Sequence, residues 1–156
     1  MKPSLRTRAA QAVGLRFGLM RRALTLGVRA AAFDAQGRVF LVRHTYTPGW
    51  YLPGGGVEKG ENALAALARE LREEGEIALC APPALFGLYL NRAAGARDHV
   101  ALYVARDIRQ MRAKAPDMEI AESGFFAPDA LPPEATPATR ARLREIAGAA
   151  PIDPYW

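Results

Sequence analysis

The sequence predicts an α+β fold in which helices pack against a mixed sheet. Three observations carry that expectation. Extended apolar segments alternate with helical ones. The stretch after residue 61 spaces Leu64, Leu67, Ala68 and Leu71 at i, i+3, i+4 and i+7. Clusters of Gly and Pro punctuate the segments. The chain has 156 residues, half of them apolar and 24% charged, which is the length and composition of one globular domain. A single cysteine, Cys80, excludes an intramolecular disulfide framework and a Cys-rich zinc site. No apolar run approaches the roughly 18 residues that span a bilayer.

The elements follow in order. Residues 1–24 read as a basic arm with a helical tendency, residues 25–150 as the body and residues 151–156 as an irregular tail. Thr25–Phe33 is extended and apolar, Asp34 to Gly37 reads as a turn and Arg38–Arg43 returns as a strand, so a hairpin is expected. Gly and Pro then mark a loop through Pro48 and Gly56. A helix is predicted from Glu61 or Asn62 to Glu74, strands at Ala84–Leu90 and His99–Ala105 joined by a turn, and a short strand at Glu119–Phe126. A closing helix is predicted over Ala138–Ala147, with Pro137 suited to its first turn.

Charge is unevenly placed. Residues 1–33 hold Lys2, Arg6, Arg8, Arg16, Arg21, Arg22 and Arg29 and no acid, whereas Glu58, Glu61, Glu70, Glu73, Glu74 and Glu76 crowd one short stretch. A body of that kind does not suit nucleic acid; it suits an enzyme that holds a cation. For the arm, docking on the body, contact with an anionic lipid surface or RNA, and an organellar transit role are all open. Arginines interrupt every apolar stretch that could form a secretory signal.

On a helix, Glu70, Glu73 and Glu74 lie within about 100° of one another, away from the leucine stripe. Such a face is either solvated, with Arg69–Glu73 and Arg72–Glu76 as ordinary pairs, or a set of hard oxygen ligands for a hard divalent cation. Gly54, Gly55 and Gly56 directly precede it and permit positive φ and close backbone approach. The spacing is not that of a P-loop or of a dinucleotide fingerprint.

The pattern Gly55-x5-Glu61-x7-Arg69-Glu70-Leu71-Arg72-Glu73-Glu74, led in by Leu52-Pro53-Gly54, resembles the Nudix box, over residues 55–77. One position departs: the pattern closes E-E-x-G-U, and here Gly75 comes one residue early with Glu76 in the glycine's place. Gly75 is expected to take the left-handed helix exit instead. The resemblance implies an α/β/α sandwich, a Nudix-like mixed sheet flanked by helices, over roughly residues 25–148.

It also implies roles. Glu70, Glu73 and Glu74 match the metal-binding carboxylates, with Glu70 or Glu73 also a base. Gly54 matches a glycine whose carbonyl meets the metal. Arg69 matches an arginine that orients a carboxylate, here expected to be Glu73. A further carboxylate, Glu119 with Glu122 as rival, matches a late loop ligand. The implied activity is hydrolysis of a nucleoside diphosphate linked to a moiety X, with Mg²⁺ or, in its place, Mn²⁺.

X itself is not legible. Arg43, Arg92 and Arg97 are candidates for phosphate contact and Trp50, Tyr51 and Tyr89 for stacking, although residues of these kinds more often serve the fold or the surface. His44 and His99 are read as structural or exposed, since their spacing makes no zinc pattern. Two alternatives stand: a nucleotide-binding module of the same fold without turnover, against which the full carboxylate set argues, and an isoprenoid diphosphate isomerase, which would want a cysteine ahead of the box. A cytoplasmic location is expected, and a homo-oligomer is compatible with the sequence.

Overall fold

The computed structural model describes residues 23–156. The arm and its expected helix lie outside the described residues, apart from Ala23 and Leu24. Seven strands and two helices follow: β1 (Thr25–Ala32), β2 (Val39–His44), α1 (Ala63–Gly75), β3 (Ile77–Leu79), β4 (Ala84–Leu90), β5 (Asp98–Ala105), β6 (Ile108–Gln110), β7 (Ile120–Phe126) and α2 (Pro137–Ile146). The strands form three sheets, β1-β5-β4, β2-β7 and β3-β6. β1 and β5 run parallel, from Thr25 opposite Asp98 to Ala32 opposite Ala105; the other ladders are antiparallel.

The expected hairpin of β1 and β2 is corrected. The turn forms, with the Gly37 amide donating to the Asp34 carbonyl at 2.9 Å, but the strands then share only one bridge, Phe33 to Val39. Residues 50–57 run between them and take the hydrogen bonds a hairpin would use. Val28 donates to Gly55, Ala30 to Pro53 and Val57 to Leu26, while Val42 and Tyr51 exchange both bonds, all within 2.8–3.0 Å. The Gly-rich loop is therefore stitched to β1 along one edge and to β2 along the other.

Alternate residues of these strands enter two cores. Val28, Ala30, Phe40, Val42, Ala101 and Tyr103 meet Ala66, Leu67 and Leu71 of α1. Their neighbours Ala31, Val39, Leu41 and Leu102 meet Trp50, Leu52, Tyr89 and Leu143 of α2 on the other face. A sheet covered on both faces explains why the strands read as continuous apolar runs. Leu67 and Leu71, both fully buried, contribute about 1.5–3 kcal/mol each. The expected α/β/α layering is present, with Asn62 capping α1 (Oδ1 accepting from the Ala65 amide at 2.9 Å) and Thr136 capping α2 ahead of Pro137.

Two further details complete the fold. β3 and β6, three residues each, were too short to leave a periodic signal. The tail is docked: Leu90 donates to Pro154 at 2.9 Å and Trp156 donates to Leu90 at 3.1 Å. Glu145 accepts from Arg142 at 2.6 Å, Asp153 at 3.1 Å and Tyr89 at 2.9 Å beneath it.

The exit of α1 is also corrected. Gly75 stays helical, and Glu76 takes the left-handed conformation at φ 53°, its amide donating back to Arg72 at 3.0 Å. Gly75 is kept small by packing, because a Cβ there would lie 2.7 Å from Cε1 of Phe40. A left-handed non-glycine residue costs about 1–2 kcal/mol, against which the exposed Arg112–Glu76 pair returns about 0–1 kcal/mol. Glu76→Gly is therefore expected to stabilise the protein by about 0.5–1 kcal/mol, read as a higher urea midpoint at unchanged slope; a lower midpoint contradicts this account.

Candidate active site

The site forms where α1, the Gly-rich loop, the end of β2 and the start of β7 meet. The helix is turned further into the core than the leucine stripe suggests. Leu64 is exposed, Ala66 is buried in its stead, and Glu74 follows Leu67 and Leu71 onto the buried side. Glu74 is 3% exposed, and its Oε2 accepts the Gly54 amide at 2.7 Å. Burial pushes its carboxyl up to about 7, with Glu70 and Glu119 adding to the rise and the Gly54 amide and Arg29 opposing it.

Glu70 lies over Gly55, where a Cβ would overlap its carboxylate and stand 2.7 Å from Cδ. Arg69 holds this corner together. It makes a two-pronged bond to Glu61 (Nε 3.0 Å, Nη2 3.1 Å), reaches Glu70 at 2.7 Å and the Gly56 carbonyl at 3.1 Å, and touches Glu73 only at 3.4 Å. The Glu61 and Glu70 bonds raise the guanidinium pKa, and the Arg69 bond holds Glu61 below the usual carboxylate range. Arg69 thus orients Glu61 and Glu70 more than the expected Glu73, whose side chain is 54% exposed.

Gly54, expected to offer its carbonyl to a metal, has that carbonyl bonded by Arg29 Nη1 at 2.7 Å; the same nitrogen reaches the Leu52 carbonyl at 3.0 Å. Arg29, one of the bases of the acid-free residues 1–33, is a strut of β1 that fixes the loop. The two late acids separate. Glu122 turns to an exposed pair with Arg43 at 2.7 Å. Glu119 comes to Glu74 and His44, and one ligand atom from each of these three lies within 4.8 Å of the others. The turn that presents Glu119 is built by Asp117, which accepts the amides of Glu119 at 2.9 Å and Ile120 at 2.7 Å. These bonds, with Lys114, hold the Asp117 carboxyl down at about 2.

His44 was read from sequence as structural or exposed, and the structure buries it at the edge of this cluster. The desolvated ring, with Arg29 nearby, is held below the usual histidine pKa, against the pull of Glu119. The only sequence signal for it was its place at the end of a strand just before the glycine loop. Trp50 and Tyr89 belong to the core and are not free to stack; Tyr51 is half-buried beside His44. Arg92 covers the Tyr155 ring at 3.4 Å.

A sandwich with a glycine loop leading into a carboxylate helix defines the Nudix fold class, and comparison with known proteins agrees. The NUDIX domain family model matches residues 23–146. A MutT NUDIX hydrolase from Burkholderia pseudomallei is 31% identical, with a TM-score of 0.66 over 78% of this chain and 97% of its own. A NUDIX hydrolase from Nitrosomonas europaea (21% identity, TM-score 0.64, 81% of this chain and 89% of its own) shares the fold. So does an ADP-ribose pyrophosphatase from Streptococcus suis (23%, 0.56, 82% and 94%). Comparison with curated protein sequences gave no match. The chain belongs to the Nudix family. No helix among the described residues is long and apolar enough to cross a membrane.

Proposed function

We propose that the enzyme hydrolyses the diphosphate linkage of a nucleoside diphosphate joined to another moiety, using Mg²⁺ or, in its place, Mn²⁺. The observation that supports this best is Glu74, a buried carboxylate beside Glu70 and Glu119 with no Arg or Lys bonded to it among the described residues. Hard oxygen donors so desolvated fit a hard divalent cation, which offsets the cost of their burial. Glu70, Glu73, Glu74 and Glu119 would hold it, with the Gly54 carbonyl adjacent. When bound, the cation neutralises the diphosphate and lowers the pKa of a water.

The chain's own groups do the rest. Glu70, bonded by Arg69, or Glu73, open to solvent, would take a proton from the attacking water. Arg29 and the stitched loop keep Gly55 beneath Glu70, so the carboxylate has one position. The complete carboxylate set weighs against a binding-only role. Cys80, exposed and behind the box, gives no support to an isomerase. A free exposed thiol suits a reducing, cytoplasmic setting.

The test is a turnover screen of the purified protein with Mg²⁺ over nucleoside diphosphate sugars, dinucleoside polyphosphates, nucleoside triphosphates and capped RNA. At least one should be cleaved to phosphate-ended products, with activity abolished by EDTA and restored by Mg²⁺ or Mn²⁺. Undiminished turnover in excess chelator overturns the metal reading.

A further inference from the structure

We propose that His44 is a nitrogen ligand in a cation position shared with Glu74 and Glu119, and that this position prefers Mn²⁺, Co²⁺ or Zn²⁺ to Mg²⁺. The inference rests on the reading above that these carboxylates hold divalent cations, and it adds a ligand and a selectivity to it.

The three residues come from separate elements: His44 ends β2, Glu74 lies in the last turn of α1 and Glu119 immediately precedes β7. A bulge brings them together. Arg43 pairs with Glu122, but His44 pairs with Ile120, so β7 spends one extra residue at this point. The Glu119 carbonyl then accepts the Thr45 amide at 2.9 Å, which places Glu119 against the end of β2. Bulges of this kind re-aim side chains at sheet ends.

The imidazole is otherwise unexplained. His44 is 7% exposed, its Nδ1 is buried without a hydrogen-bond partner, and its Nε2 stands 3.8 Å from Glu74 Oε1. That separation is too long for a hydrogen bond. It suits two ligands of one ion, since metal–ligand bonds of about 2.0–2.1 Å place neighbouring donors roughly 3–4 Å apart. Tyr46 stacks on the ring at 5.1 Å and Tyr51 tilts against it at 5.7 Å, fixing its direction. Nε2 is the ring nitrogen that faces Glu74, and its lone pair is the one a cation would take, with the proton then on the buried Nδ1.

Donor chemistry then sets the preference. Mg²⁺ takes oxygen and keeps its waters. Imidazole nitrogen favours first-row transition ions, with affinity rising from Mn²⁺ through Co²⁺. One nitrogen among carboxylates therefore tilts this position away from Mg²⁺, while Glu70 and Glu73 remain an all-oxygen set.

The test reads metal binding without substrate. Pulsed electron paramagnetic resonance of the Mn²⁺-loaded wild type should show directly bonded nitrogen. The chain has two histidines, so the signal should vanish in His44→Gln and persist in His99→Gln. In competition titrations the preference for Mn²⁺ over Mg²⁺ should fall at least about tenfold in His44→Gln. If that variant fails to fold by circular dichroism, His99→Gln with ¹⁵N-labelled histidine decides alone, because its one imidazole must alter the Mn²⁺ spectrum. Mn²⁺ bound with no nitrogen coupling overturns the role of His44 and leaves the hydrolase reading intact. No divalent binding at all overturns both.

Discussion

Glu73→Gln is expected to lower turnover at least about 100-fold while leaving the melting temperature in EDTA close to that of the parent. Gln keeps the size and helix propensity of Glu but removes the charge that holds a cation or takes a proton, and positioned acid–base groups contribute about 10²–10⁴. The structural cost is small. Glu73 is half-exposed, and its contact with Arg69 is the longest that Arg69 makes, at 3.4 Å. Losing it forfeits about 0.3–0.5 kcal/mol, and weakened repulsion among Glu70, Glu73 and Glu74 returns a similar amount. Arg69 keeps Glu61 and Glu70, so the corner stays built. The checks are the rate on the best substrate in Mg²⁺ and the melting curve in EDTA. A variant that melts like the parent and turns over within a few-fold of it would show that the exposed end of the acidic face is only solvated.

Gly54→Ala is expected to have the largest effect on stability, a loss of about 3 kcal/mol or more. Gly54 sits at φ 141°, and an added Cβ would overlap the Val28 carbonyl oxygen and lie 2.9 Å from Val28 C and Arg29 Cα. These are backbone atoms of a strand hydrogen-bonded on both sides, so nothing there can move aside. The loop must leave instead, giving up the bonds of Gly54 to Glu74 and Arg29. Strained backbone together with a buried acceptor left unpaired reaches that magnitude. Gly60→Ala is the control: its φ is 82° but nothing lies within 4 Å of the added Cβ, so only the backbone term of about 1–2 kcal/mol applies. Urea midpoints measure both; equal losses at the two positions would contradict this ranking.

What was legible in the sequence was local. The period of α1, the loop glycines and the spacing from Gly55 to Glu74 all depend on neighbours along the chain, and they gave the helix and three of its acids. Partners far apart in sequence were not legible. Asp34 to Gly37 carries a genuine turn signal, but no local pattern tells that Trp50–Val57 will wedge between the strands it joins. The same blindness left Arg29 as one more base in an acid-free segment, when its guanidinium is bonded to loop carbonyls 23 and 25 residues on. Glu119 and Glu122 look alike as acids near a strand start, and only the register shift opposite His44 separates them. Gly75 and Glu76 were exchanged in role because the need for a missing Cβ came from Phe40, a residue of β2.

The parallel pairing of β1 with β5 bears on how the chain reaches this state. Thr25 and Asp98, 73 residues apart, bond side chain to side chain at 2.7 Å and open the ladder that Ala32 and Ala105 close. β2 likewise waits for β7, as Val39 does for Phe126. Of the strands that pair along their length, only β4 and β5 are joined by a short turn. During synthesis the apolar β1 therefore leaves the ribosome well before the strand that will cover it, and loop-closure entropy must be met before its ladder gives anything back. Refolding belongs on the millisecond-to-second scale of non-local β topologies rather than that of helical bundles. In that interval β1 is an open edge to any other strand in reach, the kind of exposure that favours misassembly.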